Sequence, residues 1–523
     1  MQGLNTSDIV IFVTYLVIIV LIGYWAGRKK KETAEDYFLS HKRLPWYVIG
    51  FAIIATGISS EQFLGTVGFA YEHGLAVANW EWANAPALLL VILIFAPIYI
   101  RRKIITMPQY LEKRFDGRIR SLFAVITLLT FVLIYLSGVI FSGGFVLNVL
   151  FGINLYVAIW SLTILAGLLT IYGGMASVAW VQLFQSIVLL GGGLLVFFLG
   201  IHKVPGGLDT ILGTGSRAHL ILPANDPYIP WPGVVVLAIS TNLWYFGTNQ
   251  TINQSMLGAK NEWHARMGII LAGFLYIIIA FADVFPGLIA YALDPHLPND
   301  AAYPFVVNTL VPAGLKGLVF AGLLGAIMST IEGIINATST VFTYDIYSRF
   351  IRPGATGKQM IRTGRITGAV VLVIGGLWAP VVLRFGHIFS YFQECLVFIA
   401  IPSVVIFVAG LLSKKISRTT AFWIMLLSFP MFFMPYILRI FHVKMNVFNF
   451  SGIVLAIVIL LTALLTLFTR EQEPERTKDY VWNFSMRNLP AEITAGGYPL
   501  YKRISFWALV MTGIYLLIYI LLW

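Results

Sequence analysis

Ala55-Thr56-Gly57-Ile58-Ser59-Ser60-Glu61-Gln62 lies in the middle of an apolar stretch, about 47–72, otherwise long enough to cross a bilayer. Glycine and small hydroxyl residues there permit local unwinding. The carbonyls and amides released by unwinding need partners other than lipid. A second interruption, Ser240-Thr241-Asn242-Leu243-Trp244-Tyr245-Phe246-Gly247-Thr248-Asn249-Gln250, falls near the start of another apolar block. Interrupted segments at corresponding places in two halves point to the binding site of a transporter. Gly and Ser that merely allow close helix packing are the alternative reading of either segment alone.

The rest of the 523-residue chain fits that setting. It is 59% hydrophobic and 11% charged, against roughly 25% charged in soluble domains. About fourteen spans are predicted: 7–27, 47–72, 76–100, 120–150, 155–173, 180–202, 233–257, 267–293, 316–347, 365–384, 388–412, 419–440, 447–470 and 505–523. The first is followed by Arg28-Lys29-Lys30-Lys31, the reverse of a cleavable leader, so it is expected to be retained with its N-terminus outside. That choice places 29 of the 35 Lys and Arg on the cytoplasmic side, as the positive-inside rule requires. The net charge of +12 is then a consequence of topology and contact with anionic lipid, and no nucleic-acid partner is expected. Both termini are expected outside a plasma membrane. The single cysteine, Cys395, excludes an intrachain disulfide and favours a bacterial inner membrane.

The expected organisation is an extra helix and linker over 1–46, a first repeat 47–202, an outer loop 203–232 rich in Gly and Pro, a second repeat 233–412 and a C-terminal part 413–523. Five spans per repeat, an odd number, give the second repeat the opposite orientation. The polar segment 471–503 carries no readable motif.

Carboxylates at membrane depth are costly and usually functional. Glu61, Glu81, Asp283, Glu332 and Glu394 fall within or near spans. Glu81 stands in Asn79-Trp80-Glu81-Trp82, where aromatic faces and a carboxylate suit a sugar, although a solvated Glu in an interfacial Trp belt reads equally well. Asp283, Glu332 and Glu394 are equally readable as packing residues paired with hydroxyls. Ala326, Ser329 and Thr330 share one helix face at i, i+3 and i+4. Two hydroxyls there and free carbonyls at a broken helix can serve a sodium ion, while a Ser-Thr pair alone is more often packing glue.

Glu35-Asp36-Tyr37-Phe38-Leu39, Leu44-Pro45-Trp46, Ile58-Ser59-Ser60-Glu61-Gln62-Phe63, Tyr172-Gly173-Gly174-Met175-Ala176 and Phe342-Thr343-Tyr344-Asp345-Ile346-Tyr347 together resemble the sodium/solute symporter family, in particular its sodium/glucose and sodium/galactose branch. The resemblance covers about 7–470. It implies an all-α polytopic protein with a LeuT-type five-plus-five inverted repeat, one preceding helix and three following ones. It implies co-transported sodium at the carbonyls of Ala55, Ile58 and Ala326 and the hydroxyls of Ser329 and Thr330. It implies a sugar site at Gln62, Glu81, Asn242 and Gln393, with Tyr245 as the inner gate and Trp80, Thr66 and Phe389 towards the outside.

Four positions depart from that branch. Gly57 stands where relatives have asparagine, Asn84 where they have serine, Tyr276 where they have lysine and Gln182 where they have aspartate. Asn84 and Tyr276 therefore join the solute site in altered form, with Tyr276 in the place of the lost donor. Without the aspartate that helps form a second sodium site in some relatives, one sodium per solute is expected.

The function expected is sodium-driven import of a monosaccharide or polyol by alternating access. The rivals are myo-inositol, a sialic-acid-like sugar or a carboxylate as substrate, or a transporter-like sensor. No enzyme is expected, because the chain has no metal-ligand cluster, Ser/His pair or phosphate loop. The partners expected are the solute, sodium and the bilayer, with no obligatory protein partner.

Overall fold

The computed structural model describes residues 5–28, 32–59, 62–213, 215–385, 388–441, 446–469, 475–494 and 498–523, and among them every extended element is a helix. Among the described residues nine helices are long and apolar enough to cross a membrane, running from Thr6–Gly27 to Ile504–Leu521. Shorter apolar helices lie at Trp46–Gly57, Leu155–Leu168 and Leu396–Leu412. The chain is therefore a multi-pass membrane protein.

Two predicted spans take a different form. The stretch 233–257 is built of Trp231–Ile239, Thr241–Gly247 and Gln250–Leu257, and 419–440 of Arg418–Leu426, Ser428–Phe432 and Met434–Ile440. Predicted spans 155–173 and 180–202 are two helices that meet at a kink at Gly174 (φ 65°, ψ −166°) within Leu155–Lys203. Glycine suits that backbone. A Cβ at Gly174 would stand 2.7 Å from the Tyr37 carbonyl oxygen. Tyr37 in turn donates its hydroxyl to the Ile171 carbonyl at 2.9 Å. Two of the sequence motifs thus meet across 134 residues.

Lys316–Ile351 is the most enclosed of the long helices, with 94% of its apolar window buried. It packs along Leu155–Lys203, Thr6–Gly27 and Trp46–Gly57. At its start, Asp8 accepts the amides of Gly314 (3.0 Å) and Gly317 (2.8 Å). These donors are helix-end amides with no partner further back in the helix. At its far end Asp345 is fully buried and accepts from Arg120 Nε at 2.6 Å and Thr106 Oγ1 at 3.0 Å. Arg120 also pairs with Glu112, which Arg349 joins. The most enclosed helix is thereby fixed at both ends by charged side chains.

The 471–503 segment has a structural role that its sequence does not announce. Trp482 donates its ring N–H to the Leu93 carbonyl at 2.9 Å. Arg101 reaches the Asn488 carbonyl at 2.5 Å while pairing with Glu262, and Arg266 reaches the Arg487 carbonyl at 3.0 Å. Backbone carbonyls of this segment thus satisfy cations at the ends of two long helices.

Candidate functional site

Trp46–Gly57 stops at Ile58, whose backbone turns extended (φ −110°, ψ 115°). That rotation takes the next carbonyls out of the helical ladder, as the glycine and hydroxyl composition predicts. On the other side of the break stands Lys316–Ile351. Ser329 donates its hydroxyl to the Ala55 carbonyl at 2.6 Å and to the Ala326 carbonyl at 3.0 Å. Thr330 reaches the carbonyls of Ala55 (3.4 Å), Thr56 (3.2 Å) and Ala326 (3.1 Å). All these residues are buried. Four of the five residues tied to sodium by the resemblance meet at one point, and Ile58 lies at the same break. The set consists of neutral, hard oxygens, the ligand type a monovalent cation such as sodium takes.

Gln182 holds this arrangement from a third side. Its amide donates to Thr56 Oγ1 and to the Ser329 carbonyl, both at 2.9 Å. Gln182 is thus a brace between the broken helix and its partner. One turn along, Gln185 faces Glu332 and Tyr15 lies near it. Glu332 thus has an amide and the hydroxyl of Tyr15 as neighbours.

Around the aromatic pair the structure removes one of the two readings of Glu81. The residue is 1% exposed, so it is no solvated carboxylate in a belt. It faces Asp283, also buried, within electrostatic range. Asp283 thus has a buried carboxyl as a neighbour, where the sequence suggested a hydroxyl. Trp82 is buried and donates to the Ile277 carbonyl at 3.2 Å, whereas Trp80 is half-buried against Phe448 with centroids 5.3 Å apart. Asn79, between Ala76 and Leu220, receives the Tyr519 hydroxyl at 2.7 Å.

Tyr245 and Tyr276 converge on the first break. Both hydroxyls lie within 3.4 Å of the point where a Cβ at Gly57 would stand. Tyr276 is fully buried and within electrostatic range of Tyr245, Glu81 and Asp283. Asn84 and Thr66 are buried, and the Asn242 amide nitrogen is buried without a hydrogen-bond partner among the described residues. An unpaired buried donor costs free energy unless a ligand or water takes it. The side chains of Gln62, Phe389 and Gln393 lie outside the described residues. Glu61 and the side chain of Glu394 also lie outside them.

The site thus combines a neutral oxygen cluster at one broken helix with a neighbouring group of tyrosines, a tryptophan and a carboxyl. Sequence reasoning passed over the proximity of Asp283 and Glu81, because residues separated by 202 positions carry no spacing signal.

The chain is similar to known proteins over most of its length. The family model described as "Sodium:solute symporter family" matches residues 37–428. The chain is 34% identical over 499 residues to the sodium/glucose cotransporter of Vibrio parahaemolyticus, covering 88% of this chain and 92% of the relative. It is 28% identical over 540 residues to the sodium/myo-inositol cotransporter 2 of Oryctolagus cuniculus, covering 92% of this chain and 79% of that protein. Among solved structures, a substrate-bound, outward-open Na+-coupled sialic acid symporter matches with TM-score 0.78 at 22% identity, covering 90% of this chain and 100% of that one, a likeness of fold.

Proposed function

From the premise that this chain belongs to the sodium:solute symporter family, and so couples a solute to sodium and is no enzyme, we propose that it imports a monosaccharide or polyol by alternating access. The observation that carries the sodium half is the meeting of the Ser329 and Thr330 hydroxyls with the Ala55 carbonyl at a helix break. Sodium there would draw Lys316–Ile351 and Trp46–Gly57 together through Ala55, Ile58, Ala326, Ser329 and Thr330. Its loss to the inside would loosen them.

The solute half rests on residue chemistry. Gln62, Glu81, Asn84, Asn242, Tyr276 and Gln393 offer donors and acceptors for hydroxyl groups. Tyr245 closes the site inward, and Trp80, Thr66 and Phe389 close it outward. No Lys or Arg occurs within residues 44–100, 231–259 or 267–315, so the core spans bearing most of this set offer no fixed cation to an anionic solute. That favours a neutral sugar or polyol over a carboxylate. The relatives' names include glucose and myo-inositol, in keeping with a hydroxyl-rich ligand.

The proposed architecture is a five-plus-five inverted repeat over 47–202 and 233–412 within fourteen spans. Two of the spans, around the second break and around 418–440, are built from short helices. The distribution of basic residues supports a topology with both termini outside an inner membrane. One sodium is proposed to cross per solute, since Gln182 brings an amide and no charge to the sodium-bearing helices. At about 100 mV, one inward charge contributes ~2.3 kcal/mol. A tenfold sodium gradient adds ~1.4 kcal/mol, together sustaining a few hundred-fold accumulation, an order-of-magnitude figure.

The test is sodium-driven uptake in proteoliposomes against a panel of labelled sugars, polyols and carboxylates. Concentrative uptake of a neutral sugar or polyol is the expected result. Uptake confined to carboxylates refutes the substrate assignment.

A further inference from the structure

Gly57 sits between Ala55 and Ile58, the two residues of the broken helix whose carbonyls are proposed for sodium. Its backbone is helical and its φ is not positive, so conformation does not demand glycine there. Space does. A Cβ at position 57 would stand 2.3 Å from the Tyr276 hydroxyl oxygen, 3.4 Å from the Tyr245 hydroxyl and 3.6 Å from Tyr276 Cζ. The Tyr276 phenol therefore fills the place where a side chain at 57 would lie. The first distance cannot be accommodated without movement, whereas the other two are ordinary van der Waals contacts.

Tyr276 is not free to give way. It is 2% exposed, on the helix Glu262–Asp283. Its ring meets Phe246 edge-on at 5.3 Å and 85°, and Phe246 meets Tyr245 in the same way at 5.2 Å and 89°. A run of three aromatic rings thus joins the second interrupted segment to the backbone of the first. Dense packing of this kind transmits displacement rather than absorbing it.

We propose that the contact between the Tyr276 hydroxyl and Gly57 couples the solute to sodium, and that the two residues form one specificity unit. A solute that hydrogen-bonds Tyr276 fixes the phenol against Gly57. The phenol then holds the strand of backbone that carries the carbonyls of Ala55 and Ile58. Sodium ordering those carbonyls fixes the phenol in return, because a binding coupling acts equally in both directions. The pair also sets the shape of the site. A side chain at 57 requires a residue other than tyrosine at 276, and tyrosine at 276 requires glycine at 57. This rests on the proposed solute and sodium sites.

The experiment is a double-mutant cycle with Gly57→Ala and Tyr276→Phe in proteoliposomes. Half-activating sodium is measured at low and at saturating solute, and solute affinity at saturating sodium. Gly57→Ala is expected to weaken both by roughly tenfold or more, the effect of overpacking a closed site. Tyr276→Phe removes the atom at 2.3 Å. Adding Gly57→Ala to it should then shift each value by no more than about threefold relative to Tyr276→Phe alone. Tyr276→Phe alone should abolish most of the dependence of sodium activation on solute. Equal losses from Gly57→Ala in both backgrounds, or full sodium–solute coupling retained in Tyr276→Phe, overturn the proposal. Where Gly57→Ala does not yield folded protein, the coupling measured in Tyr276→Phe decides alone. The cycle reads the mutual dependence of 57 and 276. Failure of the sodium site itself shows separately, as unchanged sodium activation in Ser329→Ala/Thr330→Ala.

Discussion

Replacing Ser329 and Thr330 by alanine tests the sodium site where its geometry is most explicit. In the structure Ser329 donates at 2.6 Å to the Ala55 carbonyl, while Thr330 holds its longer bonds to Ala55 and Thr56 at 3.4 and 3.2 Å. A hydroxyl interacting with a charge contributes about 1.5–3 kcal/mol, and an ordinary hydrogen bond about 1 kcal/mol. Alanine removes both the ion contact and the bond made without the ion. The net loss of sodium binding is therefore ~0.5–2 kcal/mol for each residue, or roughly 2- to 30-fold. Because Thr330 gives up weaker bonds to Ala55 and Thr56, Thr330→Ala is expected to raise half-activating sodium at least as much as Ser329→Ala. The double substitution should raise it by at least about fivefold. Solute affinity at saturating sodium should change far less. The assay is sodium-dependent uptake in proteoliposomes at fixed membrane potential and saturating solute. A double mutant with the sodium dependence of the unmodified protein would place the ion elsewhere and refute the reasoning.

Glu81→Ala removes a buried carboxyl facing the solute wall and should weaken solute binding by several-fold or more, since leaving a ligand hydroxyl unpaired costs ~1–3 kcal/mol; unchanged affinity in Glu81→Ala and Gln393→Ala alike would dismiss the sugar site. Gly174→Ala places a Cβ 2.7 Å from the Tyr37 carbonyl at a backbone φ of 65°, so thermal stability in detergent should fall; an unshifted melting temperature would show that the bend at 174 tolerates a side chain. Asp345→Asn removes the buried anion to which Arg120 donates at 2.6 Å and leaves Glu112 as its carboxylate partner, a loss of about 1.5–3 kcal/mol; the melting temperature in detergent should fall, and normal yield and melting would count against a structural role. The ratio of sodium to solute flux in voltage-clamped vesicles should be near one, and a ratio near two would replace the single-ion reading.

Several features of this protein could be read along the chain because they are local. Long apolar runs and the side on which Lys and Arg collect follow from the cost of charge in a bilayer, which acts residue by residue. The glycine and hydroxyl cluster at 55–60 predicts a helix break, and the structure ends its helix at Gly57. The spacing of Ala326, Ser329 and Thr330 puts them on one face by helical geometry alone. What that face meets depends on a helix 274 positions away, and only the fold brings the Ser329 hydroxyl to the Ala55 carbonyl. Burial of Glu81 was equally invisible, because the tryptophans beside it suit a membrane surface and a closed pocket alike. The facing of Glu81 and Asp283, the brace from Gln182 and the fit of Tyr276 against Gly57 are set by which helices pack together. Sequence position carries the cost of each residue in lipid and the pitch of each helix. Contacts between helices depend on side-chain volumes summed over the whole bundle, so the tertiary structure alone decided them.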